Sequence, residues 1–511
     1  MPDDCAYHFA DACVSCGKPL RMNIILEEIM DKLSLMTDLY ELTMMQGYFS
    51  SGNREEVVFD MFFRRNPDDG GYAVMCGVAQ LIDYIHNLQF GYDDIAYLKG
   101  LGIFKDDFLE YLRGFHFSGD IFAVPEGTAV FPGEPLVKVI APIMEAQLIE
   151  PALLCIINHQ TLIATKASRV CYAAGGGVME FGLRRAQGPD AAVYGARAAV
   201  IGGCIGTSNV LAGRKFNIPV KGTHAHSWIM SFPDELTAFR NYAKEFPNAC
   251  ILLVDTYDTL RSGVPNAIKV FTEMRDAGIK PGYFGIRLDS GDLAYLSKKA
   301  RKMLDEAGFP DAVISASCDL DEDIILSLKR QGAQITSWGV GTRMITSFTC
   351  PSLGGVYKLA AIKDSETGEY IPKIKVSDNP EKVTNPGNKE VWRICSKDDG
   401  KIIADLISLA DEKFTNEEDL LIFDPVYTWK KTLLKAGTYT IRRLLVPIYK
   451  KGFQVYESPE TMAIRDFCAS QLDSLWDETR RFSNPHMVYI DLSDKLYDLK
   501  KSLLDNIHKE D

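Results

Sequence analysis

The chain has 511 residues, of which 46% are hydrophobic and 24% are charged. A chain of this size can bury a large core, and we expect it to form two or three domains. Its net charge of -13 at pH 7 argues against nucleic acid or an anionic membrane as the main partner, because both repel an acidic surface.

The twelve cysteines are spread along the chain without the spacing of a disulfide framework. The sequence also contains no uncharged apolar stretch of about 18 residues that could cross a membrane. Its N-terminus lacks the basic region and apolar core of a secretory signal. We therefore expect a cytoplasmic protein with no membrane partner.

Residues 1–32 are predicted to be an N-terminal extension, for which disorder is one interpretation. The segment contains Cys5, His8, Cys13 and Cys16. Four such ligands at short spacing can close a tetrahedral zinc site. We favour the simpler interpretation, in which the extension has no function.

Residues 33–150 are predicted to form a separate N-terminal α/β domain. Alternating apolar positions and turn residues indicate strands at 57–65, 121–124 and 136–140, and a helix at 77–88. A helical stretch at 151–168 leads into the next domain.

Residues 151–360 are predicted to form a (β/α) barrel. An apolar or β-branched run followed by a helical pattern recurs seven times from residue 178 onward. The predicted strands lie at 178–183, 204–206, 218–220, 250–255, 283–289, 313–318 and 334–338. Because no eighth unit is legible, the predicted barrel is irregular or incomplete.

Residues 361–511 are predicted to form a C-terminal α+β region that packs on the other domains. Strands are indicated at 370–376 and 390–395, and a helical stripe of leucines follows near the end of the chain. The whole chain is therefore predicted to be an α/β protein with a barrel between two smaller regions.

Polar and charged side chains follow the predicted barrel strands at their carboxyl ends. They are Arg184, Arg185, Ser208, Thr223, His226, Asp255, Asp258, Arg287, Asp289 and Asp319. Parallel α/β proteins keep their chemistry at this face of the sheet. The sequence therefore predicts one site, although any single member could equally be a helix cap or a solvated loop residue.

The loop after the seventh strand is a candidate phosphate site. Gly339 and Gly341 let backbone N–H groups approach phosphate oxygens, and Thr342 can add a hydroxyl donor. Arginines and aspartates on the same face suggest an anionic ligand whose phosphates are partly bridged by a divalent cation.

Seven segments carry a resemblance to a known family. They are 37–44, 59–64, 180–188, 221–227, 254–257, 287–292 and 339–342. On these segments the chain resembles the nicotinate phosphoribosyltransferase family, which belongs to the type II phosphoribosyltransferases. The resemblance covers about 33 to 394, with a weaker tail to 504.

The resemblance implies a reaction. Nicotinate attacks C1 of 5-phosphoribosyl 1-pyrophosphate, which gives nicotinate mononucleotide and pyrophosphate in NAD biosynthesis. ATP hydrolysis is coupled to this transfer through a phosphorylated histidine, and Mg²⁺ is the implied cofactor. A homodimer with shared active sites is also implied.

Several residue roles follow from the resemblance. His226 is the histidine that would be phosphorylated, whereas His224 occupies a variable position of the family motif. Tyr40, from a second subunit, and Phe181 would sandwich the pyridine ring. The other implied contacts are Thr223 and Arg287 to nicotinate, Thr342 to phosphate, and Asp255 and Asp289 near the ribose and its Mg²⁺.

The residue types agree with this chemistry. Arg184 and Arg185 can stabilise a pyrophosphate leaving group. The ribose is positive in an oxocarbenium-like transition state, so it tolerates carboxylates nearby. Ser208 stands where nicotinamide-specific relatives carry an aspartate, so its hydroxyl would favour a ligand carboxylate. The simpler interpretation of Ser208 is a helix cap.

Two alternatives stay open. The chain could be a nicotinamide or quinolinate phosphoribosyltransferase, which a substrate panel would separate. It could also be an inactive paralogue that binds a metabolite. The presence of His226, Arg287 and Asp289 argues against the inactive paralogue, and detectable turnover would exclude it.

Overall fold

The computed structural model describes residues 33–379 and 382–507. The proposed zinc ligands Cys5, His8, Cys13 and Cys16 lie outside these residues. The described chain forms two compact units, one made of residues 33–36 and 87–116 and the other of the rest. No helix in 33–379 or 382–507 is both long and apolar enough to cross a membrane.

The helices occupy all three regions of the sequence. The α-helices are α1 (Leu39–Ser51), α2 (Val78–Asn87), α3 (Tyr92–Gly100), α4 (Asp106–Arg113), α5 (Ile143–Leu148), α6 (Glu150–Ala174), α7 (Pro189–Ile201), α8 (Val210–Phe216), α9 (His226–Met230), α10 (Glu235–Glu245), α11 (Val264–Asp276), α12 (Leu293–Glu306), α13 (Glu322–Arg330), α14 (Thr342–Ile345), α15 (Thr461–Asp473), α16 (Asp477–Arg480) and α17 (Asp494–Ile507).

The strands fall into one parallel and several other sheets. They are β1 (Glu56–Phe63), β2 (Ala73–Val74), β3 (Asp120–Ala123), β4 (Ala129–Val130), β5 (Val137–Pro142), β6 (Val178–Glu180), β7 (Ala249–Leu253), β8 (Tyr283–Leu288), β9 (Val313–Ala316), β10 (Ser337–Val340), β11 (Gly355–Lys363), β12 (Tyr370–Pro372), β13 (Lys389–Ser396), β14 (Ile402–Leu409), β15 (Leu420–Phe423), β16 (Lys431–Leu434), β17 (Tyr439–Arg443), β18 (Val446–Lys450), β19 (Phe453–Gln454) and β20 (Tyr489–Leu492).

The parallel sheet positions the candidate site. Its strand order is β6-β10-β9-β8-β7, and every neighbouring pair is parallel. Single parallel bridges extend it from Glu180 to Thr207 and from Thr207 to Val220. The predicted strands at 204–206 and 218–220 are therefore reduced to single bridges, at Thr207, one residue beyond the first predicted range, and at Val220.

The prediction of an α/β fold with a parallel sheet is confirmed, but the predicted barrel is not. Among the described residues no sheet closes on itself. One side of the array ends at β7, and the other ends at the single bridge of Val220. Beyond Val220 the chain continues as a loop to Ala225 instead of pairing with β7.

Helices cover the parallel sheet because each turns an apolar stripe toward it. Phe239 of α10, Phe271 of α11 and Trp338 of β10 are almost fully buried in one continuous core. Burying a large apolar side chain stabilises the fold by about 1.5 to 3 kcal/mol, so this core fixes the strand ends that carry the site.

A second sheet has the strand order β12-β11-β1-β5-β3-β18-β19, and its pairs are antiparallel. Its strands come from three distant stretches of the chain. A third sheet has the order β17-β13-β14-β20. In it the fully buried Arg393 and Asp405 form an ion pair at 2.6 Å, which satisfies both charges inside the core.

Candidate active site

A cavity of about 510 Å³ lies at the carboxyl ends of the parallel strands. The sequence predicted chemistry at this face, and most of the predicted side chains line the cavity. The lining residues are Phe181, Leu183, Arg184, Arg185, Ser208, Gly222, Thr223, His224, Ala225, His226, Arg287, Asp289, Ser317, Cys318, Asp319, Gly339, Gly341 and Thr342. Three predicted residues, Tyr40, Asp255 and Asp258, are not among them, and the Asp258 side chain instead caps the turn that follows it.

His226 begins α9 at the edge of the cavity. Its Nδ1 lies 3.0 Å from the hydroxyl of Thr256, and its Nε2 lies 3.8 Å from Oδ2 of Asp289. The side chain is 39% exposed. One ring nitrogen is therefore held by a hydroxyl, and the other faces a carboxylate at the cavity.

Asp255 stands behind Asp289 and supports it. Oδ2 of Asp255 accepts the backbone N–H of Asp289 and the hydroxyl of Ser290, both at 2.7 Å. The hydroxyl of Ser317 donates to Oδ1 of Asp289. These bonds fix the two carboxylates at the ends of adjacent strands.

Arg287 extends from β8 toward the loop before α9. Its Nη1 donates to the hydroxyl of Thr223. Its Nε is buried and has no hydrogen-bond partner among the described residues. Burial lowers the pKa of Arg287, and the nearby Arg184 adds a repulsion in the same direction. A half-buried cation with a spare donor suits an anionic ligand.

Gly339 and Gly341 have a steric role beside the predicted phosphate role. A Cβ at Gly339 would lie 2.6 Å from the ring of Phe181, and one at Gly341 would lie 3.1 Å from the Phe181 carbonyl oxygen. Only glycine lets β10 approach Phe181 this closely. The strand begins at Ser337, later than the predicted start at 334.

Glu180 links the two strand segments that carry Phe181 and Ser208. The sequence did not indicate this role. Its carboxylate accepts the backbone N–H of Gly182 and the hydroxyl of Thr207. The side chain is fully buried, and burial raises the pKa of its carboxyl. Phe181 and Ser208 directly follow the two bonded strand segments, so Glu180 sets their separation.

Ser208 is half-buried at the cavity. The cap of α8 is Asn209, whose side-chain oxygen accepts the N–H of Ala212 at 3.1 Å. The simpler interpretation of Ser208 as the cap of this helix is therefore wrong. Its hydroxyl can be directed at a ligand.

Tyr40 lies in α1 with about half of its surface exposed, away from the cavity lining of its own chain. The structure therefore does not bring it together with Phe181 within one chain. Thr256, Ser317 and Glu180 were missed because each acts through a bond to a residue distant in the chain, which spacing along the sequence does not reveal.

The residues present fit a hard divalent cation only in part. Mg²⁺ prefers oxygen ligands and commonly takes one or two carboxylates together with substrate phosphates. Oδ1 of Asp255 is buried without a hydrogen-bond partner in the described chain, and Asp289 is partly exposed beside it. The described residues contain no cluster of three or more ligands for a metal ion.

Three family models match the chain in succession. They are the nicotinate phosphoribosyltransferase N-terminal domain at residues 35–158, the nicotinate phosphoribosyltransferase family at 177–411, and its C-terminal domain at 388–500. Together they span almost the whole described chain.

Curated relatives match over similar lengths. A nicotinate phosphoribosyltransferase of Bacillus subtilis is 48% identical over 472 residues, which is 92% of this chain and 95% of the relative. The Homo sapiens nicotinate phosphoribosyltransferase is 32% identical over 529 residues, which is 92% of this chain and 96% of the relative.

Solved structures agree with these matches. The crystal structure of human nicotinic acid phosphoribosyltransferase superposes with a TM-score of 0.80 at 30% identity, and the match covers 91% of this chain and 99% of that one. A nicotinate-nucleotide pyrophosphorylase from Pyrococcus furiosus shares the fold, with a TM-score of 0.64 at 23% identity. The chain belongs to the nicotinate phosphoribosyltransferase family.

Proposed function

We propose that this chain transfers the phosphoribosyl group of 5-phosphoribosyl 1-pyrophosphate to nicotinate and couples the transfer to ATP hydrolysis through phosphorylation of His226. The products are nicotinate mononucleotide and pyrophosphate. The observation that carries the proposal is one cavity in which an aromatic ring, arginines, carboxylates and a histidine meet.

The base is held at the Phe181 end of the cavity. The pyridine ring stacks on Phe181, which packs against Gly339. The nicotinate carboxylate accepts hydrogen bonds from the Arg287 guanidinium, which lines the cavity, and from the hydroxyl of Ser208. Thr223 keeps the Arg287 guanidinium in place through its own hydroxyl.

The transfer step needs stabilisation of opposite charges at its two ends. The pyridine nitrogen forms a bond to C1 of the ribose while the bond from C1 to the pyrophosphate oxygen breaks. Arg184 and Arg185 stabilise the departing pyrophosphate, and Asp289, supported by Asp255, stabilises the positive ribose. Mg²⁺ bound through substrate phosphates beside Asp255 and Asp289 would neutralise further phosphate charge.

The phosphate groups bind at the loop after β10. Backbone N–H groups near Gly339 and Gly341 and the hydroxyl of Thr342 supply neutral donors. Arg343, the next residue, pairs with Asp321 at 2.6 Å. That pair anchors the loop to the residue that caps α13, so the donors stay aimed at the cavity.

His226 accepts the γ-phosphoryl group of ATP on Nε2. With the proton on Nδ1, that nitrogen donates to the Thr256 hydroxyl 3.0 Å away, and the Nε2 lone pair can attack phosphorus while ADP leaves. Oδ2 of Asp289 lies 3.8 Å from Nε2, so its carboxylate repels the phosphoryl group once that group is attached. Hydrolysis of the phosphohistidine by water returns the free imidazole.

Two further features belong to the proposal. The active site is shared in a homodimer, in which the exposed Tyr40, which does not line the cavity of its own chain, covers the second face of the pyridine ring in the partner's cavity. The parallel sheet with its two bridges is the wall of an incomplete (β/α) barrel whose open side is closed by side chains. We place the protein in the cytoplasm.

A substrate panel tests the proposal. Nicotinate, nicotinamide and quinolinate are each incubated with 5-phosphoribosyl 1-pyrophosphate, Mg²⁺ and ATP, and the mononucleotides are separated and measured. We expect nicotinate mononucleotide as the main product. A preference for either other base would replace the assigned substrate, and absence of any product would support an inactive paralogue.

A further inference from the structure

The open side of the parallel sheet faces the loop that carries the proposed phosphorylation site. Among residues 33–379 and 382–507, β7 pairs only with β8, so its other edge has no strand partner there. The chain leaves the sheet after Val220 and continues as a loop to Ala225 before α9 begins. Three side chains in residues 223–226 nevertheless contact residues that lie on β8 or on or just after β7.

Each of the three contacts has a different partner. Thr223 accepts from Arg287 of β8, and His226 contacts Thr256 just after β7. Between them, Nε2 of His224 accepts the backbone N–H of Leu253 at 3.3 Å. Leu253 is fully buried, and a buried edge N–H without a partner costs free energy.

We infer that His224 is a positioning residue whose imidazole replaces the missing strand pairing at Leu253 and thereby holds Thr223 and His226 at the cavity. The inference rests on the proposed function only for the roles of Thr223 in nicotinate binding and of His226 in phosphorylation. His224 itself is assigned no contact with substrate.

The surroundings of His224 favour this role. The ring is only 8% exposed and packs edge-on against Tyr242 of α10, with the ring centres 4.5 Å apart. Burial lowers the pKa of His224 to about 4, with Arg287 and His226 adding repulsion. At neutral pH the imidazole is therefore uncharged, and its Nε2 is able to accept a hydrogen bond.

The chain order also explains why one side chain can position two functional groups. Thr223 and His226 lie one residue before and two residues after His224. Loss of the hydrogen bond to Leu253 would release His224 from β7. Thr223 and His226 would then no longer be held at a fixed distance from β7 and β8. We expect weaker nicotinate binding through Thr223 and Arg287, and less efficient phosphorylation of His226.

Two substitutions separate the hydrogen bond from the bulk of the ring. His224→Leu keeps an apolar volume but removes the acceptor, whereas His224→Gln retains an acceptor oxygen near the position of Nε2. As a control, His159→Leu removes a half-buried imidazole of α6 whose Nε2 has no hydrogen-bond partner in the described chain.

The direct measurement is hydrogen exchange of the Leu253 amide in the full-length protein, read together with kcat and KM for nicotinate. We expect His224→Leu to speed the exchange at least tenfold, raise the KM for nicotinate and reduce ATP stimulation. His224→Gln should restore most of each property, and His159→Leu should leave Leu253 exchange unchanged.

Equal behaviour of the leucine and glutamine variants, or unchanged Leu253 exchange in His224→Leu, would overturn the inference. A uniform loss of thermal stability without a difference between the two variants would overturn it as well. If the wild-type enzyme made no nicotinate mononucleotide, the proposed function would fail, while Leu253 exchange would still decide the role of His224.

Discussion

Ser208 is the single residue on which we expect the choice of base to depend. Its hydroxyl is half-buried at the cavity and is not used to cap α8. Ser208→Asp would place a carboxylate against that of nicotinate. We predict that kcat/KM for nicotinate falls more than tenfold, a loss of at least about 1.4 kcal/mol, while relative use of nicotinamide rises.

The control for this prediction is Ser208→Ala, which removes the hydroxyl without adding charge. It should lower kcat/KM for nicotinate less than the aspartate does and should not raise the relative use of nicotinamide. Unchanged ratios of the two kcat/KM values in Ser208→Asp would remove Ser208 from the account of specificity.

Thr256 supplies the hydroxyl that fixes Nδ1 of His226 at 3.0 Å. Thr256→Val keeps the branched shape but removes the hydroxyl, so His226 should rotate more freely and be phosphorylated more slowly. A net hydrogen bond contributes about 0.5 to 1.5 kcal/mol, which predicts a decrease of about two- to tenfold in the rate of phosphate transfer from labelled ATP.

Thr256→Ser is the matched control because it retains the hydroxyl. We expect near wild-type labelling in this variant. Equal rates of labelling in the valine and wild-type proteins would show that Thr256 does not orient His226.

Residue types and their positions after strands predicted which residues form the site. They did not predict which hydrogen bonds those residues make. His226, Arg287 and Asp289 meet at the cavity as chain position indicated. Glu180 and Thr256 were missed because their contacts join residues 27 and 30 positions apart in the chain, which local pattern does not reveal.

Helices and strands were predictable to different degrees. The helix predicted at 77–88 is present as α2, Val78–Asn87, where a strong apolar stripe defines it. The strands predicted at 204–206 and 218–220 are reduced to single bridges at Thr207 and Val220. An apolar run indicates a buried strand, but it does not reveal how many residues find a pairing partner.

The loop from Gly222 to α9 carries a prediction about pH, because His224 holds it to β7. The pKa of His224 is lowered from 6.5 to about 4 in the folded protein. Below 6.5 the unfolded chain takes up a proton that the folded chain resists. The neutral, buried His224 therefore makes its full contribution to the free energy of unfolding above pH 6.5, and this contribution is lost as the pH falls toward 4.

The glutamine variant His224→Gln has no such titration. We predict that the wild-type melting temperature falls more than that of His224→Gln between pH 7.5 and pH 5.0. Thermal unfolding of the two proteins in matched buffers is the measurement. A constant difference in melting temperature across this range would contradict a neutral, buried His224.

At the scale of the whole molecule, Tyr40 does not line the cavity of its own chain, which is why we propose a second chain at the site. The boundaries proposed at 32, 150 and 360 stay predictions, as does the homodimer. The sequence could not show how the antiparallel sheet is assembled, because its pairing of β1 with β11 joins strands almost 300 residues apart. Such long-range pairing depends on the packed core and not on local pattern.

Hybrid dimers test the shared site. Tyr40→Ala should mainly weaken nicotinate binding, since aromatic stacking contributes about 0.5 to 1.5 kcal/mol beyond burial. Mixing Tyr40→Ala chains with His226→Ala chains should restore a fraction of the ATP-stimulated activity, because one cavity of a hybrid would have both side chains intact. No recovery despite demonstrated subunit exchange would contradict a site built from two chains.

The central claim is that one cavity carries both phosphoribosyl transfer and the ATP-dependent step through His226. The most direct measurement is nicotinate mononucleotide formed by the wild-type and His226→Ala proteins, each with and without ATP. We predict that ATP stimulates the wild type, while His226→Ala stays folded and forms product at a rate that ATP does not change. Stimulation that persists in His226→Ala, or a wild type that forms no nicotinate mononucleotide, would contradict the account.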